Sequence, residues 1–149
     1  MNYDHLKLEN QICFPVYAAS RLITREYQPL LDELGITYPQ YLVLLILWEN
    51  EQQTVNDIAQ KLILNTNTIT PLLQRMENLA LLQRSKSKTD ERKTIISLTE
   101  KGSKLKEKAV YIPEKLASGF LNEEISLEQL VDLKNKLNQV IGILSEKKE

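Results

Sequence analysis

Thr54-Val-Asn-Asp-Ile-Ala-Gln-Lys-Leu62, followed two residues later by Asn65-Thr-Asn-Thr-Ile-Thr-Pro-Leu-Leu-Gln-Arg-Met76, is the stretch that decides the fold. Thr54 and Asp57 offer an N-terminal cap for a short helix that puts Val55, Ile58, Ala59 and Leu62 on its inner face. Asn65 opens a second helix, expected to run to about Ala80 with Ile69, Leu72, Leu73, Met76 and Leu79 inward. Its other face then carries hydroxyl, amide and guanidinium groups. Two short helices joined by a tight turn, the second polar on its outer face, form a helix-turn-helix pattern.

Beyond Leu81 the period of the apolar residues changes. Leu82 to Ser85 and Lys93 to Leu98 read as two short strands around the charged connection Lys86 to Arg92, with Thr94, Ile96 and Leu98 on one face. Helix-turn-helix followed by a basic hairpin is a winged helix: mainly α with a small β-hairpin wing. The charges support it. From Arg84 to Lys108 nine Lys/Arg stand against four Asp/Glu, whereas the whole chain, with 19 basic and 20 acidic residues, carries −1. A basic segment on an acidic body suits a local anionic partner. A helix about 10–12 Å across fits the major groove of double-stranded DNA. Arg84, Lys86, Lys88, Arg92 and Lys93 can then neutralise phosphates, which makes binding weaken with salt. A merely solvated charged hairpin is the alternative for the charge run alone. On the recognition helix, Asn67 and Gln74 are suited to adenine, Thr66 or Thr68 to a phosphate or a thymine methyl, and Thr70 and Arg75 complete the exposed set.

The rest of the chain bounds the answer. Its 149 residues, 42% hydrophobic and 26% charged, have the balance of an ordinary folded domain. The longest apolar run, Tyr41 to Trp48, is too short to cross a bilayer, and the first residues lack a signal-peptide pattern, so a cytoplasmic protein with no membrane role is expected. One cysteine, Cys13, cannot make an intrachain disulfide; one histidine, His5, leaves no His/Cys zinc cluster, and no metal or cofactor is expected. A first helix covers roughly Leu6 to Leu34 and ends at Gly35. Thr37-Tyr-Pro-Gln40 reads as a capping box for a deeply buried helix. Helix resumes at Thr99, bends at Pro113 and stops near Gly119. Ser126-Leu-Glu-Gln129 caps a last helix whose stripe of Leu130, Leu133, Leu137, Val140 and Leu144 needs a partner, within one subunit or across a dimer. The expected organisation is an N-terminal dimerisation helix carrying Cys13 (1–36), the DNA-binding domain (37–99) and C-terminal dimerisation helices (100–149).

Asp90-Glu-Arg-Lys-Thr-Ile-Ile-Ser-Leu-Thr99 resembles the wing signature of the MarR family of dimeric winged-helix regulators. Within that family, Leu8-Glu-Asn-Gln-Ile-Cys-Phe14, Thr37-Tyr-Pro-Gln-Tyr41 and Thr68-Ile-Thr-Pro-Leu-Leu73 are similar to the one-cysteine organic hydroperoxide resistance (OhrR) branch. The resemblance spans roughly residues 6 to 116. It implies a homodimeric repressor on an inverted-repeat operator, not an enzyme, whose cysteine, here Cys13, senses organic hydroperoxides. It also implies that tyrosines matching Tyr17, Tyr27 and Tyr38 hydrogen-bond the thiolate or rearrange after oxidation, Tyr27 and Tyr38 from the other subunit, and that Asp90 and Arg92 are the wing pair, with Arg92 entering the minor groove. The chain departs from the branch at Asn65-Thr66-Asn67, where relatives commonly carry Asp-Ser-Gly, and at Gln74, where a basic residue is usual; both put the operator sequence in doubt. The closest alternative keeps the fold and replaces oxidation with a small aromatic ligand. A thiol peroxidase would leave the DNA-binding pattern unexplained.

The peroxide-reactive species is the thiolate, so a sensor needs a depressed pKa and access for the oxidant. The nearest cations in sequence, Lys7 and Arg21, lie six and eight residues from Cys13, so phenol donors and a helix N-terminus are the expected stabilisers; Tyr17 lies four residues on. Pro15 leaves two arrangements. Either a helix restarts there with Cys13 just outside its positive end, or a kinked continuous helix contains Cys13. With no second cysteine, a sulfenic acid must meet an external low-molecular-weight thiol or oxidise further. Without the resemblance, Cys13 would read as an inert core residue. Phe14, Tyr41 and Trp48 read as core or dimer packing, His5 as exposed and idle, and Tyr3 and Tyr111 carry no assignable role.

Overall fold

The computed structural model describes residues 3–120 and 125–146; Met1 and Asn2 of the expected N-terminal segment lie outside the described residues. Two compact units divide between Val110 and Tyr111. In the first, the expected long helix begins later than its apolar pattern suggests. Two 3-10 turns, Asp4–Leu6 and Leu8–Asn10, come first. Side-chain amides hold them: Asn10 Nδ2 donates to the Asp4 carbonyl at 2.6 Å and Gln11 Nε2 to the His5 carbonyl at 2.5 Å. The Asp4 carbonyl also accepts from the Lys7 N–H at 3.1 Å, which closes a 3-10 turn rather than a turn of α-helix. α1 runs Cys13–Asp32. Pro15 sits in its first turn, where a missing N–H is harmless, so a fresh helix start is observed, two residues earlier than Pro15 itself. Gly35, at φ +68°, ends the turn after α1, and the Ile36 N–H reaches back to Leu31 O at 3.1 Å.

α2 (Tyr38–Glu49) follows, its entry fixed by the Thr37 N–H donating to Gln40 Oε1 at 2.8 Å. Tyr41, Val43, Leu44 and Leu47 are buried, as their continuous apolar run predicts, and form the core with Leu31, Ile58, Ile69, Leu73, Met76, Leu82 and Ile96. α3 (Val55–Lys61) is capped reciprocally: Thr54 Oγ1 accepts from the Asp57 N–H, and the Thr54 hydroxyl and N–H donate to Asp57 Oδ2 at 2.7 and 3.1 Å. These bonds, hydroxyl first, hold the Asp57 carboxyl below its ordinary pKa.

Between α3 and α4 (Thr66–Asn78), Ile63 adopts φ +56°. A β-branched residue pays ~1–2 kcal/mol there, and glycine does not. Ile63 is half exposed, so little packing is lost on truncation. Ile63→Gly is expected to raise the unfolding free energy by about 0.5–1 kcal/mol after glycine's own chain-entropy cost; a lower urea midpoint would contradict this. At the far end of α4, Leu79 is not inward as expected. It occupies the C-cap position and is exposed, because Ala80 at φ +55° reverses the chain and Leu81, 2% exposed, enters the core instead.

The wing contains a strand the sequence does not announce. β2 (Leu82–Lys86) and β3 (Thr94–Leu98) pair antiparallel from Leu82↔Leu98 to Lys86↔Thr94. β1 (Gln52–Thr54) adds to the other edge of β3, giving the order β1-β3-β2. The expected two-stranded hairpin is thus a three-stranded sheet; β1 is wholly polar and carries no alternation to read. α5 (Glu100–Ala109) starts at the Thr99 cap.

The second unit holds α6 (Ile112–Phe120) and α7 (Leu127–Glu146). The bend expected at Pro113 is a break, with Pro113 in the first turn of a new helix. Ser126 and Gln129 close the expected box: the Ser126 N–H donates to Gln129 Oε1 at 2.8 Å and the Gln129 N–H to Ser126 Oγ at 3.3 Å. Leu133, Leu137, Val140 and Leu144 are all exposed on α7. No helix among the described residues is long and apolar enough to cross a membrane.

Candidate functional site

α4 presents its polar face as the periodicity requires. With Ile69, Leu72, Leu73 and Met76 buried, Thr66, Asn67, Thr68, Thr70, Gln74 and Arg75 are all exposed. Asn65 stands at the N-cap without a side-chain hydrogen bond, which leaves the first-turn N–H groups of α4 oriented as a helix N-terminus that suits a phosphate. That end of α4 meets the wing. A cleft of about 290 Å³ is lined by Thr66 and Thr70 from α4, Arg84, Arg92 and Lys93 from the wing, and Thr54 and Asn56 from the start of α3. Asn56 was not anticipated; its exposed amide at a helix start beside the recognition helix was the available signal.

The wing tip is braced from within. Asp90 Oδ1 accepts from both the Arg92 N–H and Nε at 3.2 Å. The Asp90 carbonyl accepts from the Lys93 N–H, and Ser87 Oγ accepts from the Asp90 N–H. The Asp90 side chain is 29% exposed and that of Arg92 92%, so the acid anchors and the guanidinium projects. Lys86 and Lys88 are exposed on the same hairpin. Arg84 differs from the expectation of a free cation: its Nε lies 2.8 Å from Glu77 Oε2, and both side chains are about one-third exposed. Its charge is largely compensated before any DNA arrives.

Cys13 is a free, exposed thiol at the first position of α1. That position is the positive end of the helix dipole. Tyr17, one turn on, is exposed, and its hydroxyl accepts from Arg21 Nη1 at 3.3 Å while the guanidinium lies 5.5 Å from the ring centroid. Tyr27 and Tyr38 are elsewhere. Fourteen residues of α-helix place Tyr27 roughly 21 Å along α1 from Cys13, out of reach within one chain. It packs on Tyr38 at 4.8 Å between centroids and on Tyr41 at 5.9 Å, and Tyr41 in turn meets Trp48 at 6.2 Å. Burial first, then the neighbouring phenols, pushes Tyr27 up to about 12, and burial raises Tyr38 as well. Both therefore keep their protons at neutral pH and can act as donors. Ile12, the N-cap residue of α1, and Phe14, Val16 and Leu22 along the helix are exposed. Among the described residues no group of His, Cys, Asp and Glu is arranged to hold a metal ion.

Residues 25–109 match the family model for the transcriptional regulator SarA/Rot. The organic hydroperoxide resistance transcriptional regulator of Bacillus subtilis is 50% identical over 97% of this chain and 97% of its own length. The regulator MgrA of Staphylococcus aureus is 35% identical over 98% of each chain. Among solved structures, AbfR of Staphylococcus epidermidis superposes with a TM-score of 0.74 at 37% identity, over 96% of this chain and 97% of that one. Reduced AbfR bound to DNA gives 0.80 at 36% identity over the whole of both chains.

Proposed function

Since the chain belongs to the SarA/Rot and MarR group of winged-helix transcriptional regulators, in its one-cysteine, organic-hydroperoxide-sensing OhrR/AbfR branch, we propose a residue-level account of how it binds and releases its operator. The protein is a redox-sensing repressor and not an enzyme; it releases DNA when its cysteine is oxidised by organic hydroperoxides. Cys13 is that cysteine, as the only thiol in the sequence. Its exposure at the positive end of α1 is the observation that carries the account.

Two copies act together in the cytoplasm. The apolar faces left open on α1 and α7 supply the dimer surface, each Å² buried contributing about 25 cal/mol. In this arrangement residues 1–36 and 100–149 dimerise and 37–99 read DNA. Two recognition helices then sit about one helical turn apart, on an inverted repeat. Thr66, Asn67, Thr68, Thr70, Gln74 and Arg75 face the major groove. Lys86, Lys88 and Lys93 meet phosphates, with Arg84 held back by Glu77, and Asp90 aims Arg92 toward the minor groove.

The switch is covalent. The Cys13 thiolate attacks the terminal peroxide oxygen, the O–O bond breaks, and the departing alkoxide takes a proton to leave as the alcohol; sulfur is oxidised by two electrons to a sulfenic acid. A low-molecular-weight thiol then condenses with it, forming a mixed disulfide and releasing water. A bulky group at the start of α1 displaces Tyr17 and the partner's copies of the Tyr27–Tyr38 pair, and the spacing of the two reading lobes changes. A loss of ~3 kcal/mol in operator binding is about a hundredfold. Fluorescence anisotropy on a labelled inverted-repeat operator tests this: one equivalent of cumene hydroperoxide with a small thiol should release the DNA, and excess dithiothreitol should restore binding. Binding that survives full oxidation of the thiol would overturn the proposal.

A further inference from the structure

Glu77 stands in the last turn of α4, where the carbonyl end of a helix disfavours an acid. Two donors of Arg84 on β2 hold it there: the Arg84 N–H reaches Oε1 at 3.2 Å and Nε reaches Oε2 at 2.8 Å. β2 has β3 on one side only, so Glu77 takes a backbone donor at the outer edge of the sheet. A carboxylate that grips backbone and guanidinium together fixes the strand as well as the side chain. We infer that Glu77 is a positioning residue for DNA binding, pinning the wing to the recognition helix, with Arg84 as its anchor rather than a phosphate contact. The chain between helix and wing is Leu79 to Leu81 and turns at Ala80, φ +55°. The Glu77–Arg84 bonds add a second tie, which stops β2 from pivoting about that turn. Arg92 and Lys93 of the wing and Thr66 and Thr70 of α4 border one cleft, so a pivot would change the distance between the groups that meet DNA. Holding that distance in advance removes an ordering cost from binding. The pair itself is neutral overall and displaces few counterions from DNA. With both side chains about one-third exposed, it adds little to the stability of the fold.

The inference rests on the reading of the wing in operator binding, and the test separates the two. Fluorescence anisotropy follows binding of the reduced full-length protein to a labelled inverted-repeat operator across a salt series. Glu77→Ala should weaken binding about three- to tenfold although it removes a negative charge beside DNA. Arg84→Met should do the same and leave the slope of log K against log salt unchanged. The double variant should be no weaker than the weaker single one. Arg92→Ala should cost less in the Glu77→Ala background than in the native one, because a wing no longer held in place contributes less. A mere loss of folded protein would leave that cost unchanged. Tighter binding by Glu77→Ala, or a salt slope that falls by nearly two in Arg84→Met, would make Arg84 a phosphate contact restrained by the acid and overturn the inference. So would losses that multiply in the double variant, or an equal cost of Arg92→Ala in both backgrounds. Each variant is assayed below its melting midpoint, and Glu77→Gln, which keeps the side chain's size, gives the same comparison if Glu77→Ala does not fold. The parent reading fails separately: it falls if Arg92→Ala leaves operator binding unchanged in the native background, whatever Glu77 does.

Discussion

Gly102→Ala should lower the unfolding free energy by several kcal/mol, on the order of 3–5. A Cβ at this position would stand 2.0 Å from the Leu81 carbonyl oxygen and 3.2 Å from Leu98 Cδ2. The oxygen cannot step aside. The Leu81 N–H is bonded to Met76 O and its carbonyl accepts from the Thr99 N–H at 3.1 Å. α5 would have to lift instead. That would strain the bond from Trp48 Nε1 to the Gly102 carbonyl (3.0 Å) and those tying the α5 start to the end of α4, from Thr99 Oγ1 to Ala80 O and from Lys101 Nζ to Leu79 O. Urea unfolding checks this, and a change below about 1 kcal/mol would mean the close approach is not native.

If Arg92 enters the groove as proposed, Arg92→Ala should weaken operator binding about 10- to 100-fold, the range for one inserted guanidinium in each protomer of the proposed dimer. It should also reduce the slope of log K against log salt by nearly two for a dimer. Asp90→Ala distinguishes a brace from a charge. If the carboxylate acted only by repelling phosphates, removing it would tighten binding. Because Asp90 holds both the Arg92 backbone and Nε, its loss should weaken binding, by less than the loss of Arg92 itself. Anisotropy titrations across a salt series measure both.

Much of this architecture is legible in the sequence because local signals agree with tertiary packing. Gly35, the Thr54–Asp57 and Ser126–Gln129 caps and the buried run from Tyr41 mark helix ends and interior without ambiguity. The failures have identifiable causes. β1 is three polar residues recruited by the edge of β3, so only the tertiary partner reveals it. The apolar period from Leu6 suggests helix, yet the Lys7 N–H closes on Asp4 and the Gln11 N–H on Leu8, so the segment tightens into 3-10 turns that the Asn10 and Gln11 amides brace. Leu79 fits the helical stripe, but Ala80 turns the chain and substitutes Leu81. In the candidate site, the thiol and the polar face of α4 follow directly from residue type and spacing. The Arg84–Glu77 pair, seven residues apart, and the contact of Asn56 with the wing cleft depend on how strand and helices meet, which no linear spacing encodes. Arg21 and Tyr17 are spaced as an i, i+4 pair, and the geometry adds that the guanidinium donates to the phenol oxygen.

The central claim is that one sulfur atom controls the grip on DNA. The measurement that addresses it is the fraction of labelled operator still bound by Cys13→Ser after cumene hydroperoxide, beside the native protein under the same conditions. The account predicts that the serine variant binds as tightly as the reduced native protein and keeps its DNA at a peroxide dose that strips the native protein. Equal release from both would contradict it and move the signal to a site other than the thiol.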